Sequence, residues 1–433
     1  MGKYSKYSEY KDSGVEWLGE IPGHWVVTRL KFLVSIKNGQ DYKNVESKVG
    51  FPVIGSGGQF TFSSSYMFDK PSVLLGRKGT IDKPLYIDEP FWTVDTMYYT
   101  KMQKDIDAKY FYYLSSTILF NRYSTNTALP SMTQENLNNF EFAVPPSIFE
   151  RKKIREFLDH ETVKIDTLIE KQQQLIELLK EKRQAVISHA VTKGLDPNVP
   201  MKDSGVEWLG EVPAHWSVTK IGFHALKIGS GKTPKGGAEI YQENGVLFLR
   251  SQNIYNDGLK IGKSESVFIS EQIHEEMATT HVFSGDILLN ITGGSIGRSC
   301  LVPENFCAAN VNQHVCIIRV PKKIQEYLSF VMVSNLIQDQ INLMQTGGNR
   351  EGLNFEQIAK FTFCLPPDNE LEYIIKTIKN NLSKLNNLEK YAYNAIQLMQ
   401  ERRIALISAA VTGKIDVSNW QAPNHEAQKE LCA

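Results

Sequence analysis

From about Ile148 to Ser188 the chain contains neither glycine nor proline, and its apolar residues return every seven positions. Leu158, Ile165, Leu179 and Val186 share a stripe with Gln172; Ile154, Leu168 and Leu175 form a second, with Glu161, Lys182 and His189 as its polar members. Two stripes at that spacing over five heptads predict a coiled-coil-like helix. Residues 369–409 keep the register with Ile378, Leu385, Ala392, Met399 and Leu406, beside Ile374, Leu388, Ala395 and Ala409. Ala392 and Ala395 are small enough for another helix to approach closely there. Forty residues at 1.5 Å per residue make a rod of about 60 Å. The two rods are expected to pack on each other, antiparallel, as a spacer, with Lys- and Glu-rich outer faces open to partner helices. Pro145-Pro146 and Pro366-Pro367 stop the preceding strands, and Gly194 followed by Pro197 ends the first rod.

Elsewhere the pattern changes to short apolar runs between Gly and Ser turns. Phe51–Gly55, Ser72–Leu75, Leu85–Ile87 and Met97–Thr100 read as strands, with a helix near Lys109–Phe120. Gly245–Leu249, Asp286–Leu289 and His314–Arg319 read likewise, followed by a helix near Gln325–Met344.

These two halves are variations on one plan. Lys11–Thr28 and Lys202–Thr219 are identical at fifteen of eighteen positions. Phe140–Pro146 returns as Phe361–Pro367, and Arg183–Thr192 as Arg403–Thr412. Two long copies mean two similar domains, related most simply by a pseudo-two-fold axis. Residues 29–140 and 220–360 share little beyond local echoes, so a constant frame holds a variable insert, twice. The boundaries predicted are 1–147 (head and first insert), 148–201 (first rod and linker), 202–368 (head and second insert) and 369–433 (second rod and tail). The fold class expected is α+β, two mostly-β domains with some helix joined by two long helices.

Composition narrows the function. Lys and Arg balance Asp and Glu at 48 each, which disfavours a simple nucleic-acid binder with one basic face. Residues 29–140 carry 13 basic and 10 acidic side chains, residues 220–360 carry 13 of each, so a DNA ligand implies a partner that adds basic surface or basic residues clustered in space. No run of eighteen apolar residues occurs, and the N-terminal segment lacks an apolar core, so neither a membrane span nor a signal peptide is expected. Five cysteines, an odd number, point to the cytoplasm. Cys300, Cys307 and Cys316 cluster with His314, but without a CxxC pair small buried residues explain them better than zinc.

No catalytic motif stands up. Gly229–Thr233 resembles the end of a phosphate loop, yet its first glycine would fall at Leu226 and Pro234 blocks the following helix. Val144–Ser147 and Leu365–Asp368 lack the flanking residues of an amino-methyltransferase Pro-Pro motif, and no cofactor loop precedes them. What remains are polar, Gly-bracketed turns after strands: Gly76–Thr80 in one half, Asn290–Arg298 in the other. Glycines let such a turn approach a ligand backbone; Arg and Lys reach phosphates or guanine, while Asn and Gln suit adenine. Occurring in matched places, they make Ser56, Gly58, Arg77, Lys78, Thr80, Arg250, Gln252, Asn253, Asn290, Thr292, Ser295 and Arg298 the candidate DNA-binding residues. No catalytic, metal or cofactor residue is assigned.

With these residues in hand, the chain resembles the DNA-specificity subunit of type I restriction–modification enzymes. Tyr10–Trp25 and its second copy look like that family's head motif, and Leu249–Ile254 and Leu75–Thr80 look like pieces of its recognition domains. The resemblance implies a non-catalytic, cytoplasmic subunit whose recognition domains each read half of a split double-stranded DNA target. It also implies two methyltransferase subunits seated on the helices, and motor-nuclease subunits joining for cleavage. The other readings are a self-contained modification enzyme and a scaffold that reads no DNA.

Overall fold

In each repeated head a short turn starts the fold. Asp12 Oδ1 accepts from the Gly14 amide at 3.0 Å and Ser13 Oγ from the Val15 amide at 3.1 Å, and Asp203 and Ser204 repeat this at 3.0 and 3.2 Å. The turn closes a two-stranded ladder, Tyr10–Asp12 with Glu20–Pro22 in one copy and Met201–Asp203 with Glu211–Pro213 in the other. The computed structural model describes residues 4–123, 130–345 and 352–422. The chain forms two units. Unit 1 takes Met1–Gln173 together with Tyr393–Ala433, and unit 2 is the continuous stretch Gln174–Ala392.

The heads anchor on tryptophan. Trp25 and Trp216 are fully buried, and each indole N–H donates to a carboxylate in the first turn of a long helix: Glu150 at 2.9 Å, Glu370 at 3.0 Å. His24 and His215 meet the same carboxylates at 2.9 and 2.7 Å. The first long helix runs Ile148–Thr192 and the second Asp368–Val411. They end at Gly194 and Gly413, both at positive φ (+76° and +73°), where a side chain would crowd Trp216 in unit 2 and strike Pro22 in unit 1. Each head therefore rests on the start of one long helix and the end of the other. That shared contact is why head and helix end recur together in the sequence.

Within each unit the two helix segments run antiparallel, pinned by Arg403–Asp166 at 2.9 Å in unit 1 and Arg183–Glu389 at 3.1 Å in unit 2. Leu158, Ile165 and Leu179 of the first stripe and Ile154 of the second are buried, as are Ile374, Ile378, Ala392, Leu406 and Ala409. Leu168, Leu175 and Leu388 are 40–50% exposed, and Phe157, Ile176 and Ile187 are buried instead. The buried face drifts from a strict heptad because sheet and head residues, not only a partner helix, cover it.

The inserts share one topology. In unit 1 a four-stranded sheet has the order Val34–Asn38, Met97–Met102, Ser72–Gly76, Leu85–Ile87, all neighbours antiparallel. In unit 2 the order is Lys227–Ser230, Val315–Arg319, Ile287–Asn290, Ser299–Leu301. A second sheet in each contains one parallel pair: Phe51–Gly55 with Trp92–Thr93, and Val246–Leu249 with Ala309–Val311. The helices expected over 109–120 and 325–344 are both interrupted. The first long stretch stops at Ser115, where the Ser115 and Ser116 hydroxyls donate back to Tyr112 O at 2.8 and 3.0 Å. The second breaks at Ser334, whose extended backbone ends Lys322–Val333 and whose carbonyl accepts from the first turn of Asn335–Gln345.

Candidate nucleic-acid interface

The topology gathers loops at one edge of each unit. In unit 1 the ends of Val34–Asn38, Phe51–Gly55, Ser72–Gly76 and Trp92–Thr93 converge. Gly39 N donates to Met97 O at 3.1 Å, Gln40 N to Thr93 O at 2.9 Å, and Val94 N to Ile54 O at 3.2 Å. In unit 2 Gly231 N reaches Val315 O at 3.1 Å, Lys232 N reaches Val311 O at 3.2 Å, and Asn312 N reaches Leu249 O at 3.0 Å. Gly39 and Gly231 are matched for a steric reason. A Cβ there would lie 2.0 Å from Val94 O or 1.7 Å from Val311 O, so only glycine lets the chain cross the strand at this point. The sequence Gly229–Thr233 is this crossing and not a phosphate loop.

Unit 1 presents Arg77, Lys78 and Thr80 on a turn held from both sides. The amides of Arg77 and Lys78 donate to Thr96 O at 2.8 and 3.1 Å, Gly79 N donates to Pro130 O at 3.0 Å, and Met132 N to Arg77 O at 3.0 Å. Lys78 and Thr80 are exposed. Arg77 is half-buried, with one guanidinium N–H on Asp95 O at 3.3 Å, so part of its fork stays available. Ser56 lies beside Gly79, whose Cβ position is 3.3 Å from Ser56 Oγ, and Gly58 closes the neighbouring hairpin at φ +104°. All five candidate residues of this half meet at one edge.

Unit 2 brings its seven together less evenly. Asn290 is fully buried; its amide nitrogen donates to Ser251 O at 2.8 Å and to Ser295 Oγ at 3.1 Å, tying two loops together. Asn253 is 1% exposed and receives the Arg250 amide at 2.8 Å while donating to Lys260 O and Glu265 O at 2.9 and 3.2 Å. Arg250 turns inward to Glu265 O at 3.2 Å, with Tyr241 beside it. Gln252 is exposed, and Thr292 Oγ1 lies 2.6 Å from His314 Nδ1. Arg298 leaves the edge to stack over Tyr255 at 4.9 Å, lining a cleft of about 310 Å³ with Lys180 and Arg183 of the first long helix. Asn253 and Asn290 can thus influence a ligand only through the loops they fix. Sequence reasoning had passed over Gln313 and had weighed His314 only as a zinc ligand; a polar pair between a strand end and the next apolar run was the signal for both at this edge.

Among the described residues no group of three or more His, Cys, Asp or Glu is placed to hold a metal, and no helix is long and apolar enough to cross a membrane. Cys300 and Cys316 are buried, which pushes their thiols up to about 12, while Cys307 is exposed.

Comparison with known proteins bears on this edge. The family model for the type I restriction modification DNA specificity domain matches residues 22–178 and 215–415, most of the chain and one stretch per copy. The type I restriction enzyme EcoBI specificity subunit of Escherichia coli is 23% identical over 98% of this chain and 93% of its own length. The EcoKI specificity subunit of Escherichia coli strain K12 is 21% identical over 67% of this chain and 62% of its own length. A chain from the solved structure described as "Structural basis underlying complex assembly and conformational transition of the type I R-M system" shares the fold with a TM-score of 0.66. It is 11% identical and aligns over 90% of this chain and 98% of that one. The chain belongs to the family of type I restriction modification DNA specificity proteins.

Proposed function

We propose that each unit reads one half of a split double-stranded DNA target through its loop edge, and that the chain works in the cytoplasm. The chain is a DNA-specificity subunit and non-catalytic, and its family acts with methyltransferase and restriction subunits. In the proposal two methyltransferase subunits join it, one for each copy of the frame, and motor-nuclease subunits join for cleavage. One observation carries the reading: two near-identical frames hold different loop sets at topologically matched edges. A frame that repeats need not sense what it carries, so the difference between the inserts is where sequence choice resides. The candidate contacts at the edge remain Ser56, Gly58, Arg77, Lys78 and Thr80 in unit 1, with Arg250, Gln252, Thr292 and Ser295 in unit 2; Arg298, stacked over Tyr255, lies off the edge. Asn253 and Asn290 act there by holding loops.

The test is to replace residues 29–140 by the first insert of another family member, express the chain with its methyltransferase partner and map methylated adenines. One half of the target is expected to change and the other to persist. A change in both halves would count against independent reading.

A further inference from the structure

The loop edge of unit 2 carries a chain of polar side chains that links three separate loops. Thr233 Oγ1 donates to Gln313 Oε1; Gln313 Nε2 lies 3.2 Å from His314 Nε2; and His314 Nδ1 lies 2.6 Å from Thr292 Oγ1. Gln313 and Thr233 are the exposed members, and Gln313 sits at the apex of a closed turn. Asn312 Oδ1 accepts from the His314 amide at 3.1 Å, Val315 N donates to Asn312 O at 3.2 Å, and His314 O accepts from Ile291 N at 3.0 Å. An exposed glutamine ordinarily samples many rotamers. This one is held at both ends of its amide.

The hydrogen-bond accounting shows what the amide still offers. With neutral His314 accepting at Nε2, the imidazole Nδ1–H donates to Thr292, Gln313 gives one N–H to the ring, and its oxygen takes the Thr233 hydroxyl. In the opposite polarity the Gln313 oxygen takes Nε2–H and its NH2 donates to Thr233. A carboxamide has two N–H donors and two oxygen lone pairs. Either arrangement leaves one N–H and one lone pair of this exposed side chain free for a ligand. Adenine in the major groove presents an acceptor (N7) beside a donor (N6–H2), the complement of that pair, whereas guanine shows two acceptors and cytosine a donor without an adjacent acceptor.

We infer that Gln313 is a specificity-determining residue that reads an adenine in the half-site of unit 2, with His314 as the residue that positions it. The inference rests on the proposed function and names a base contact within it. Matched to this turn in unit 1 are Asp95 and Thr96, which offer no carboxamide, so the two edges are built to read different bases.

The experiment uses the full chain co-expressed with its methyltransferase partner and a randomised target library read by methylation mapping. The half belonging to unit 2 is first identified by the insert exchange described above. Gln313→Ala is expected to relax one A·T position in that half by roughly ten- to a hundredfold, leaving the other half and the melting temperature unchanged. Gln313→Glu, which accepts only, is expected to shift that position towards cytosine. His314→Ala is expected to relax the same position, together with any position that Thr292, its other partner, contacts. An unchanged target for both Gln313 variants, or equal weakening on every sequence, overturns the assignment while wild-type selectivity persists. A wild-type complex that methylates without sequence preference instead overturns the proposed function.

Discussion

In unit 1 the ladder between Ser72–Gly76 and Met97–Met102 ends where two buried hydroxyls replace backbone partners. Ser72 Oγ donates to Thr100 O at 2.8 Å and accepts from Thr100 N at 3.1 Å, and Thr100 Oγ1 treats Val73 the same way at 2.8 and 3.0 Å. In unit 2 the matching place holds an ion pair. Asp286, 1% exposed, takes Arg319 in a fork at 2.6 and 2.8 Å and also accepts the Phe283 amide at 2.8 Å. Arg319 lies over Phe283, 4.2 Å from its ring centre. Burial, and then the Arg319 charge opposite, hold the Lys227 ammonium below the usual lysine range. One fold position is filled by neutral hydrogen bonds in one copy and by charge in the other. The frame dictates that polar groups there be paired, not which groups pair.

The largest expected effect tests that contrast directly. Arg319→Met leaves Asp286 buried and unpaired and should cost about 3–5 kcal/mol, whereas Thr100→Val, which strands neutral groups, should cost about 1–3 kcal/mol. Urea unfolding of the two variants measures both, and equal costs would erase the distinction. The helix ends offer a sharper, smaller contrast. A Cβ on Gly413 would lie 2.4 Å from Pro22 Cδ, but on Gly194 only 3.3 Å from Trp216. Both alanine variants carry the left-handed penalty of about 1–2 kcal/mol; Gly413→Ala should add about 1–3 kcal/mol of overpacking. Melting temperatures that fall equally would mean that Pro22 moves aside freely. The least effect is on binding alone. Arg77→Ala should weaken DNA binding by about 1–3 kcal/mol at one position if the contact is to a base, or reduce the salt slope by about one if to phosphate. If affinity and salt slope stay the same while the melting temperature drops, the turn is structural.

Much of the frame was legible in the sequence because its parts recur. The head and the Pro-Pro stop carry the same constraints twice, and constraint repeated is pattern. Six of the seven strands read from the sequence lie within a residue of their observed ends, since apolar runs bounded by glycine have few alternatives. The helix breaks at Ser115 and Ser334 escaped because serine is permissive in a helix until its hydroxyl turns back on a carbonyl. The edge was half legible. Turn glycines announced Arg77, Lys78 and Thr80, but nothing local distinguishes Asn290, whose amide faces inward, from Gln313, whose amide faces out. That choice is made by Ser251 and Thr233, brought in from distant loops, together with Ser295 of Asn290's own turn.

The division of the chain into units also orders events at the ribosome. Unit 2 is one uninterrupted stretch and can close as soon as it emerges. Unit 1 lacks its last helix segment until residues beyond Tyr393 are made, and the bond from Tyr10 Oη to Gly413 O spans 403 residues. At ~5–20 residues per second, the 220 positions from Gln173 to Tyr393 impose a wait on the order of ten to forty seconds. During that interval the apolar surface that Ala410, Val411 and Ile415 later cover is open to solvent. The nascent chain therefore completes its second recognition unit first, and its amino-terminal half is the one that needs shelter during synthesis.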